Sequence, residues 1–469
     1  MGSIASEKDS DARDGSTPRG ELTSAALPQA AEGTKSADYF GTPAEAPPSE
    51  QEVQDLARPN SALALLRVFR HRNYRLFFFG QLVTFMGTFV QMVAQGWLVY
   101  SMTHSSLLLG VTSFCSLVPG FFLSPIAGTL SDRVDRRKVL IATRLVAMLQ
   151  ATLLAALTLT GLIQVWHIIG LALMLGLVNG FDVPTRQAFV VDMVGRDDLR
   201  HAISLNSVMF NLARIVGPTI GGLLVAATGE GICFALNAVA AGAVLSSYFR
   251  MDIAPAAKRQ REHPFDELKE GFRYAWRVRQ IRVALLLVAA SSMFGAAYLT
   301  LMPAIARSVL HEGPHGLGFL MASVGVGALI GAYALARIPD RLLPKTPLIA
   351  SAAFGVSLVL FSQSHMLAIS MLLAMPVAFF LVLLGGSSNT IVQTVAEERL
   401  RGRVVSLYIM SAMGMMPWGS LLLGWLGSRI GVSNAVLLGG CVCIVASAIA
   451  WFDATESAGR NQRQISSGP

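Results

Sequence analysis

Charge is what this chain has least of. Acidic and basic residues together make up 14% of its 469 residues, whereas apolar residues make up 53%. An ordinary soluble domain carries about a quarter charged residues, so that class is excluded. Cysteine is nearly absent too: Cys115, Cys233, Cys441 and Cys443 are the four, all inside long apolar runs. Cys441 and Cys443 stand two apart on a helix and point away from each other. Neither a disulfide framework nor a metal site is supported. Outside the apolar runs there is no nucleophile–base set and no phosphate loop, which argues against an enzyme. Gly325, Gly327 and Gly331 imitate part of a dinucleotide-loop spacing. They follow no strand and sit within a run, where close helix packing explains them. No cofactor and no metal are expected.

What the chain has instead is length of apolar run. Twelve are readable, at 76–100, 106–127, 139–161, 165–183, 203–227, 232–249, 283–306, 317–336, 346–363, 366–384, 404–425 and 435–451. Most are long enough to cross a hydrocarbon core of about 30 Å; the ninth is short and Ser-rich. Backbone polar groups must be satisfied inside a bilayer, so the runs are predicted to be helices. The fold class is an all-α, multi-pass membrane protein with twelve transmembrane helices.

The formal net charge is +8, but its distribution argues against a nucleic-acid partner. Arg67, Arg70, Arg72 and Arg75 precede the first run; Arg133, Arg136, Arg137 and Lys138 follow the second. Basic clusters also follow the fourth, sixth, eighth and tenth runs, while the alternate loops carry little beyond Arg307 and Arg429. The pattern is positive-inside and places both termini in the cytoplasm. The expected location is the plasma (inner) membrane, with the lipid bilayer as the surrounding partner.

Residues 1–60 are rich in Ser, Pro, Ala, Gly and acid, with no apolar period, and read as a disordered cytoplasmic tail. They hold no signal-peptide stretch, so the first run is expected to direct insertion. Residues 61–250 and 283–452 read as two six-helix bundles, with a cytoplasmic linker at 251–282 and a tail at 453–469. Asp198 to Ile203 after the fourth run matches Arg399 to Val404 after the tenth. A parallel six-helix repeat of this kind is how two-bundle membrane carriers hold substrate between bundles. In the linker, Pro264 can open a helix, with Asp266 and Glu267 in its first turn. Phe265, Leu268, Phe272, Ala275 and Trp276 share one face, and Lys269, Arg273 and Arg277 form a basic stripe. That amphipathicity fits a helix lying on an anionic leaflet.

Charge in hydrocarbon is costly, so each intramembrane ionisable group is a functional candidate. Asp182 and Arg186 have i, i+4 spacing and can pair; Asp182 can also reach the loop at Arg133 or Arg136. Arg214 stands about 16 Å deep in the fifth run at about 1.5 Å per residue. It has three options: Asp182, carbonyls freed by Pro218, or water and an anionic substrate. Arg144 is close enough to the cytoplasm to snorkel and is assigned no role. Gln81, Thr84, Thr88, Gln91 and Gln95 form one polar stripe along the first run. It reads as the wall of a water-filled cavity, with interhelical hydrogen bonding as the alternative. Phe89, Met92, Trp97 and Tyr298 can offer apolar and aromatic contacts to a substrate.

Two motifs carry a family resemblance. Gly128-x-Leu-x-Asp132-Arg133-x-x-Arg136-Arg137 resembles the signature between the second and third helices of the major facilitator superfamily, with Asp135 where a Gly is usual. The resemblance implies that Asp132 and Arg133 belong to an inter-domain lock favouring the outward-facing state. Ala213, Gly217 and Gly221 are four apart, Gly222 extends the small face, and Pro218 is expected to bend the helix. Gly217-Pro218-Thr219-Ile220-Gly221-Gly222 resembles the superfamily's exporter signature, although Ala213 replaces its upstream Gly. A packing partner is expected in the eighth run, at Ser323, Gly327 and Gly331. The runs 179–188, 205–207 and 211–218 are similar to the enterobactin-exporter-like branch. That similarity implies export of a siderophore, macrolide or other hydrophobic small molecule, driven by proton-motive force; a monomer is expected. Alternatives are a lysophospholipid flippase and a non-transporting receptor that kept the fold. An Arg seen in the fourth helix of many proton–drug antiporters is missing, with Ala172 near its place.

Overall fold

The computed structural model describes residues 67–131, 134–195, 198–251 and 264–466, and all regular structure among them is helical. Twelve helices are long and apolar enough to cross a membrane. The first six are Arg72–Thr103, Ser106–Ser131, Arg136–Leu159, Val165–Val194, Leu199–Thr228 and Glu230–Arg250. The second six are Arg279–Val309, Pro314–Leu335, Thr346–Ser362, Leu367–Val395, Arg401–Ile430 and Val432–Phe452. Most outrun their apolar cores into the basic loops, because Arg and Lys are good helix formers and their long stems reach water. The last helix continues to Ser466 where the sequence reads as a tail; Ala454, Glu456, Gln462 and Arg463 all favour helix.

The far-side hairpins, opposite the basic loops, repeat between the halves. The first and seventh spans end in turns with left-handed His104 (φ 49°) and His311 (φ 56°). The fifth and eleventh end at Gly229 (φ 82°) and Gly431 (φ 89°). A positive φ is strained for a side chain with a Cβ, so its recurrence at matching corners marks an internal repeat. Packing repeats as well. In the first half the second span packs on the fourth, the third on the sixth, and the first on the fifth and sixth; the eighth on the tenth and the ninth on the twelfth repeat this in the second. Two six-helix bundles result. They meet through the second span on the eleventh and the fifth on the eighth, pairs that exchange when the halves are swapped.

The seam between halves lies in the far part of these spans. A Cβ on Gly222 would stand 2.5 Å from the Gly318 Cα and 2.7 Å from the Pro314 carbonyl oxygen. One on Gly110 would stand 2.5 Å from the Ser420 carbonyl oxygen. Gly96 meets Pro303, and the Arg307 guanidinium lies over Trp97, 5.5 Å from the ring centroid.

 The Trp97 pairing is thus a cation–π contact of ordinary length, joining the first span to the seventh. One apolar core runs through this region, from Val90, Val93 and Trp97 of the first half to Tyr298, Leu317 and Leu320 of the second. Towards the basic loops each half keeps its own clusters, one around Tyr74, Leu140 and Phe189 and another around Ile281, Val392 and Val404.

The motif glycines divide their work differently from the sequence expectation. Gly217 meets Phe89, and Gly221 meets Val90 and Val93, all on the first span. Only Gly222 of the three reaches the eighth span. There its partner is Gly318, and Gly325 meets Ile215, while Gly327 and Gly331 face Met375 and Phe379 of the tenth span. The eighth span carries small residues on two faces, and spacing alone does not say which neighbour each face receives. The fifth span runs unbroken through Pro218.

The linker helix, Pro264–Arg277, joins the seventh span through the single extended residue Val278. Glu270 binds Arg399 at 2.7 Å and also Arg403, and the Tyr274 hydroxyl accepts from the Glu397 N–H at 3.1 Å. The Arg399 hydrogen bond, with Arg403 beside it, holds the Glu270 carboxyl below the usual glutamate range. Phe272 and Trp276 stay exposed, their rings stacked 5.6 Å apart.

Close backbone approach at the seam predicts a contrast between two glycines. Gly222→Ala should destabilise by about 1–3 kcal/mol, the usual cost of overpacking. Gly170→Ala, with nothing within 4 Å of the added Cβ, should be neutral or gain up to about 1 kcal/mol from helix propensity. Thermal unfolding of both variants in detergent checks this, and equal midpoints would contradict the close seam.

Candidate functional site

The first half encloses a buried ion cluster. Asp182, 2% exposed, accepts from Arg144 Nη2 at 2.7 Å and from the Thr143 hydroxyl at 3.2 Å. Arg186, one turn on from Asp182, lies at 3.7 Å and rests its guanidinium 4.9 Å from the Phe85 ring centroid. One carboxylate therefore serves two guanidiniums. The expected Asp182–Arg186 pairing is present but is the longer contact. Arg144, which the sequence reading left to snorkel, is the principal partner: its stem is held between the third and fourth spans, and it is 8% exposed. Tyr248 lies within electrostatic range of all three charges. Among the described residues, Arg144 Nε, the Thr185 hydroxyl and both Gln81 amide atoms are buried without a hydrogen-bond partner.

The polar stripe of the first span turns inward except at Thr88, which is exposed. Gln91 donates to Gln150 at 3.2 Å and accepts from Asn237 at 2.7 Å, and Thr84 donates to the Gly80 carbonyl. The two Gln91 bonds tie the first span to the third and sixth, so for Gln91 the cavity-wall reading gives way to interhelical bonding. Gln81 and Gln95 are buried too. Gln95 stands just before Gly96, which meets Pro303 at the seam.

Of the motif between the second and third spans, Asp132 and Arg133 lie outside the described residues, and Gly128 falls in the last turn of the second span. Arg136 forms a two-pronged contact with Asp192, 2.9 Å to each oxygen. Arg137 donates to the Tyr248 and Phe249 carbonyls at 2.9 and 3.0 Å, a cation at the C-terminal end of the sixth span, where the helix dipole favours it. These partners belong to the first half, so both arginines brace that half. Asp135 caps the third span by accepting from the Arg137 N–H at 3.0 Å. Its φ is −59°, so the glycine usual at this place is not required. Asp198, in turn, holds His71 at 2.9 Å and Arg67 at 3.5 Å.

Arg214 occupies the middle of the fifth span. Asp182 is taken by Arg144 and Arg186, and Arg214 forms no hydrogen bond or ion pair with the described residues. Across the seam, Tyr298 lies within its electrostatic range. Tyr298 sits in a short α-helical piece of the seventh span, between π-helical segments at Ser291–Ala296 and Ile305–Val309. Such irregularities re-aim side chains and often mark functional positions. No sequence signal announces them.

Two pseudo-symmetric six-helix halves, joined on one side and carrying polar groups at their seam, define a membrane transporter of the major facilitator fold. The chain belongs to the transmembrane secretion effector family of that superfamily, whose model matches residues 61–467. It is similar to the staphyloferrin A transporter of Staphylococcus aureus, 26% identical over 81% of this chain and 95% of that protein. It is also similar to the multidrug efflux pump Tap of Mycolicibacterium fortuitum, at 27% over 77% and 91%. The enterobactin exporter EntS of Shigella boydii is 27% identical over 78% and 88%. Among solved structures, the nucleoside transporter NupG shares the fold with a TM-score of 0.65, at 10% identity over 81% of this chain and 98% of that one.

The ion cluster yields a double-mutant prediction. Asp182→Asn leaves two buried guanidiniums without their carboxylate and should cost about 3–5 kcal/mol. Replacing Arg144 and Asp182 together by Met and Leu should recover part of that loss, as apolar substitution of a buried pair commonly does, while Arg186 stays without its carboxylate. Thermal unfolding of the single and double variants tests the pairing; a double variant no better than the single would refute it.

Proposed function

We propose that this protein is a secondary active exporter that moves a small organic molecule across the plasma (inner) membrane by alternating access, in exchange for protons. The observation that carries the reading is the one-sided seam. A continuous apolar core joins the halves away from the basic loops, while separate clusters serve each half beside them. With the basic loops in the cytoplasm, as the positive-inside rule directs, this is a carrier whose central gap faces inward. Both termini are then cytoplasmic. Each chain supplies both sides of the gap, so a monomer suffices.

The direction and cargo rest on kinship. Staphyloferrin A and enterobactin give two relatives their names, and a third is a multidrug efflux pump. A siderophore or a hydrophobic drug is the matching class. The proton is the counter-ion that the superfamily resemblance implies, and its carrier is unassigned.

Purified protein in proteoliposomes should show saturable flux of a siderophore or macrolide when a pH gradient is imposed. Collapsing the gradient should reduce the rate at least about tenfold, equivalent to about 1.4 kcal/mol. Absence of flux across siderophores, macrolides and lysophospholipids would overturn the reading, and flux indifferent to the gradient would remove the proton.

A further inference from the structure

Arg214 is the unexplained charge of this molecule. It sits at mid-depth on the fifth span, next to Ile215, which meets Gly325 across the seam. Among the described acids of its own half, Asp182 is held by Arg144 and Arg186, Asp192 by Arg136, and Asp198 by His71 and Arg67, while Asp135 caps the third span and Glu230 opens the sixth. The other half offers it less. From Arg279 to Phe452, within the six spans, there is no Asp or Glu at all. A guanidinium at that depth without a counter-charge is strongly disfavoured unless it meets water or an anion.

Opposite it stands a second unsatisfied group. Tyr298 is fully buried, its ring edge-on to Phe361 at 5.9 Å, and its hydroxyl has no hydrogen-bond partner among the described residues. Buried hydroxyls are nearly always hydrogen-bonded, so an orphan asks for an explanation. The backbone that holds it is fixed on both sides by π-helical segments. Gly217 and Gly221 bring the fifth span against the first, and Gly96 brings the first against Pro303 of the seventh. The cation and the hydroxyl thus come from opposite halves at the place where these spans converge. They do not bond each other.

We propose that Arg214 and Tyr298 are the two sides of a binding subsite for an organic oxyanion, a carboxylate or phenolate group carried by the transported molecule. The guanidinium supplies a charge-assisted fork and the hydroxyl one further donor. An oxygen anion between them satisfies both groups at once; a cation or a neutral hydrocarbon satisfies neither. The proposal rests on the exporter reading only in taking the ligand to be cargo.

Binding can be measured apart from transport, on the full chain in detergent. Citrate and salicylate are the oxyanion probes, tetraphenylphosphonium the cation, and sodium chloride at matched ionic strength the control. We expect at least one oxyanion to raise the thermal midpoint in a saturable way. Arg214→Gln should weaken that binding by at least tenfold, Tyr298→Phe by three- to tenfold, and Arg214→Lys should keep part of it. A structural arginine would give a different signature without ligand. Arg214→Gln should leave the basal midpoint unchanged or raise it, because the removed charge has no partner; a lower midpoint would count against the subsite. Stabilisation by chloride equal to that by the oxyanions would overturn the organic assignment. Unchanged oxyanion affinity in Arg214→Gln would overturn it too. Unchanged flux, in that variant, of a siderophore carrying carboxylate or phenolate groups would leave the exporter standing and remove the subsite.

Discussion

A charge buried in hydrocarbon must have a partner, and this constraint organises the first six spans. Asp182 is the hub. It draws in Arg144 from the third span and Arg186 from its own helix, with the Thr143 hydroxyl completing its contacts. Removing either class of partner would leave a charge stranded, so the third and fourth spans cannot slide past one another without breaking the set. Both oxygens of this carboxylate are engaged, one by Arg144 and Arg186 and the other by Thr143. Arg214, on the fifth span of the same bundle, makes no ion pair with it.

The second half is built by other means. It has no acid within its spans, and its packing relies on small residues and irregular backbone. Gly327 and Gly331 admit the tenth span, and Gly355 and Gly440 admit each other's backbones across the ninth and twelfth. Its π-helical segments fall in the seventh and eleventh spans, the counterparts of the first and fifth. Topology is therefore symmetric while chemistry is divided: ions hold one bundle, close packing the other. Residues meeting at the seam come from unlike environments, a cation from one side and an orphan hydroxyl from the other.

Much of this was legible in the sequence. Apolar runs gave the twelve spans, because bilayer thickness leaves little freedom over which segments cross. Their ends were less legible, since charged helix formers prolong a helix after hydropathy has fallen. The linker helix was readable from Pro264 and its stripe of Lys269, Arg273 and Arg277; its clamp to Arg399 and Arg403 through Glu270 was not. Asp182 and Arg186 could be paired by spacing, but Arg144 lies on another helix, and its approach depends on rotation that no local pattern encodes. The same limit applies to Gly327 and Gly331, and to Gln91, whose partners Gln150 and Asn237 are far along the chain. Matching left-handed turns at His104 and His311 mark the repeat, yet nothing in a histidine announces a positive φ.

Placing the cation and the hydroxyl on opposite halves has a mechanical consequence. A ligand shifts a two-state equilibrium only by its difference in affinity for the two states. A site confined to one bundle would travel with that bundle, feel little of its rocking, and couple weakly to it. A site completed by Arg214 from one bundle and Tyr298 from the other changes its geometry whenever the halves move. The far seam works in the opposite sense. The Gly222–Gly318 contact is backbone on backbone, with no side chain to stretch or reorient, so it is made or broken as a whole as the halves part. Backbone packing at one level and the proposed Arg214–Tyr298 subsite at another would give the two bundles a pivot and a sensor in the same interface.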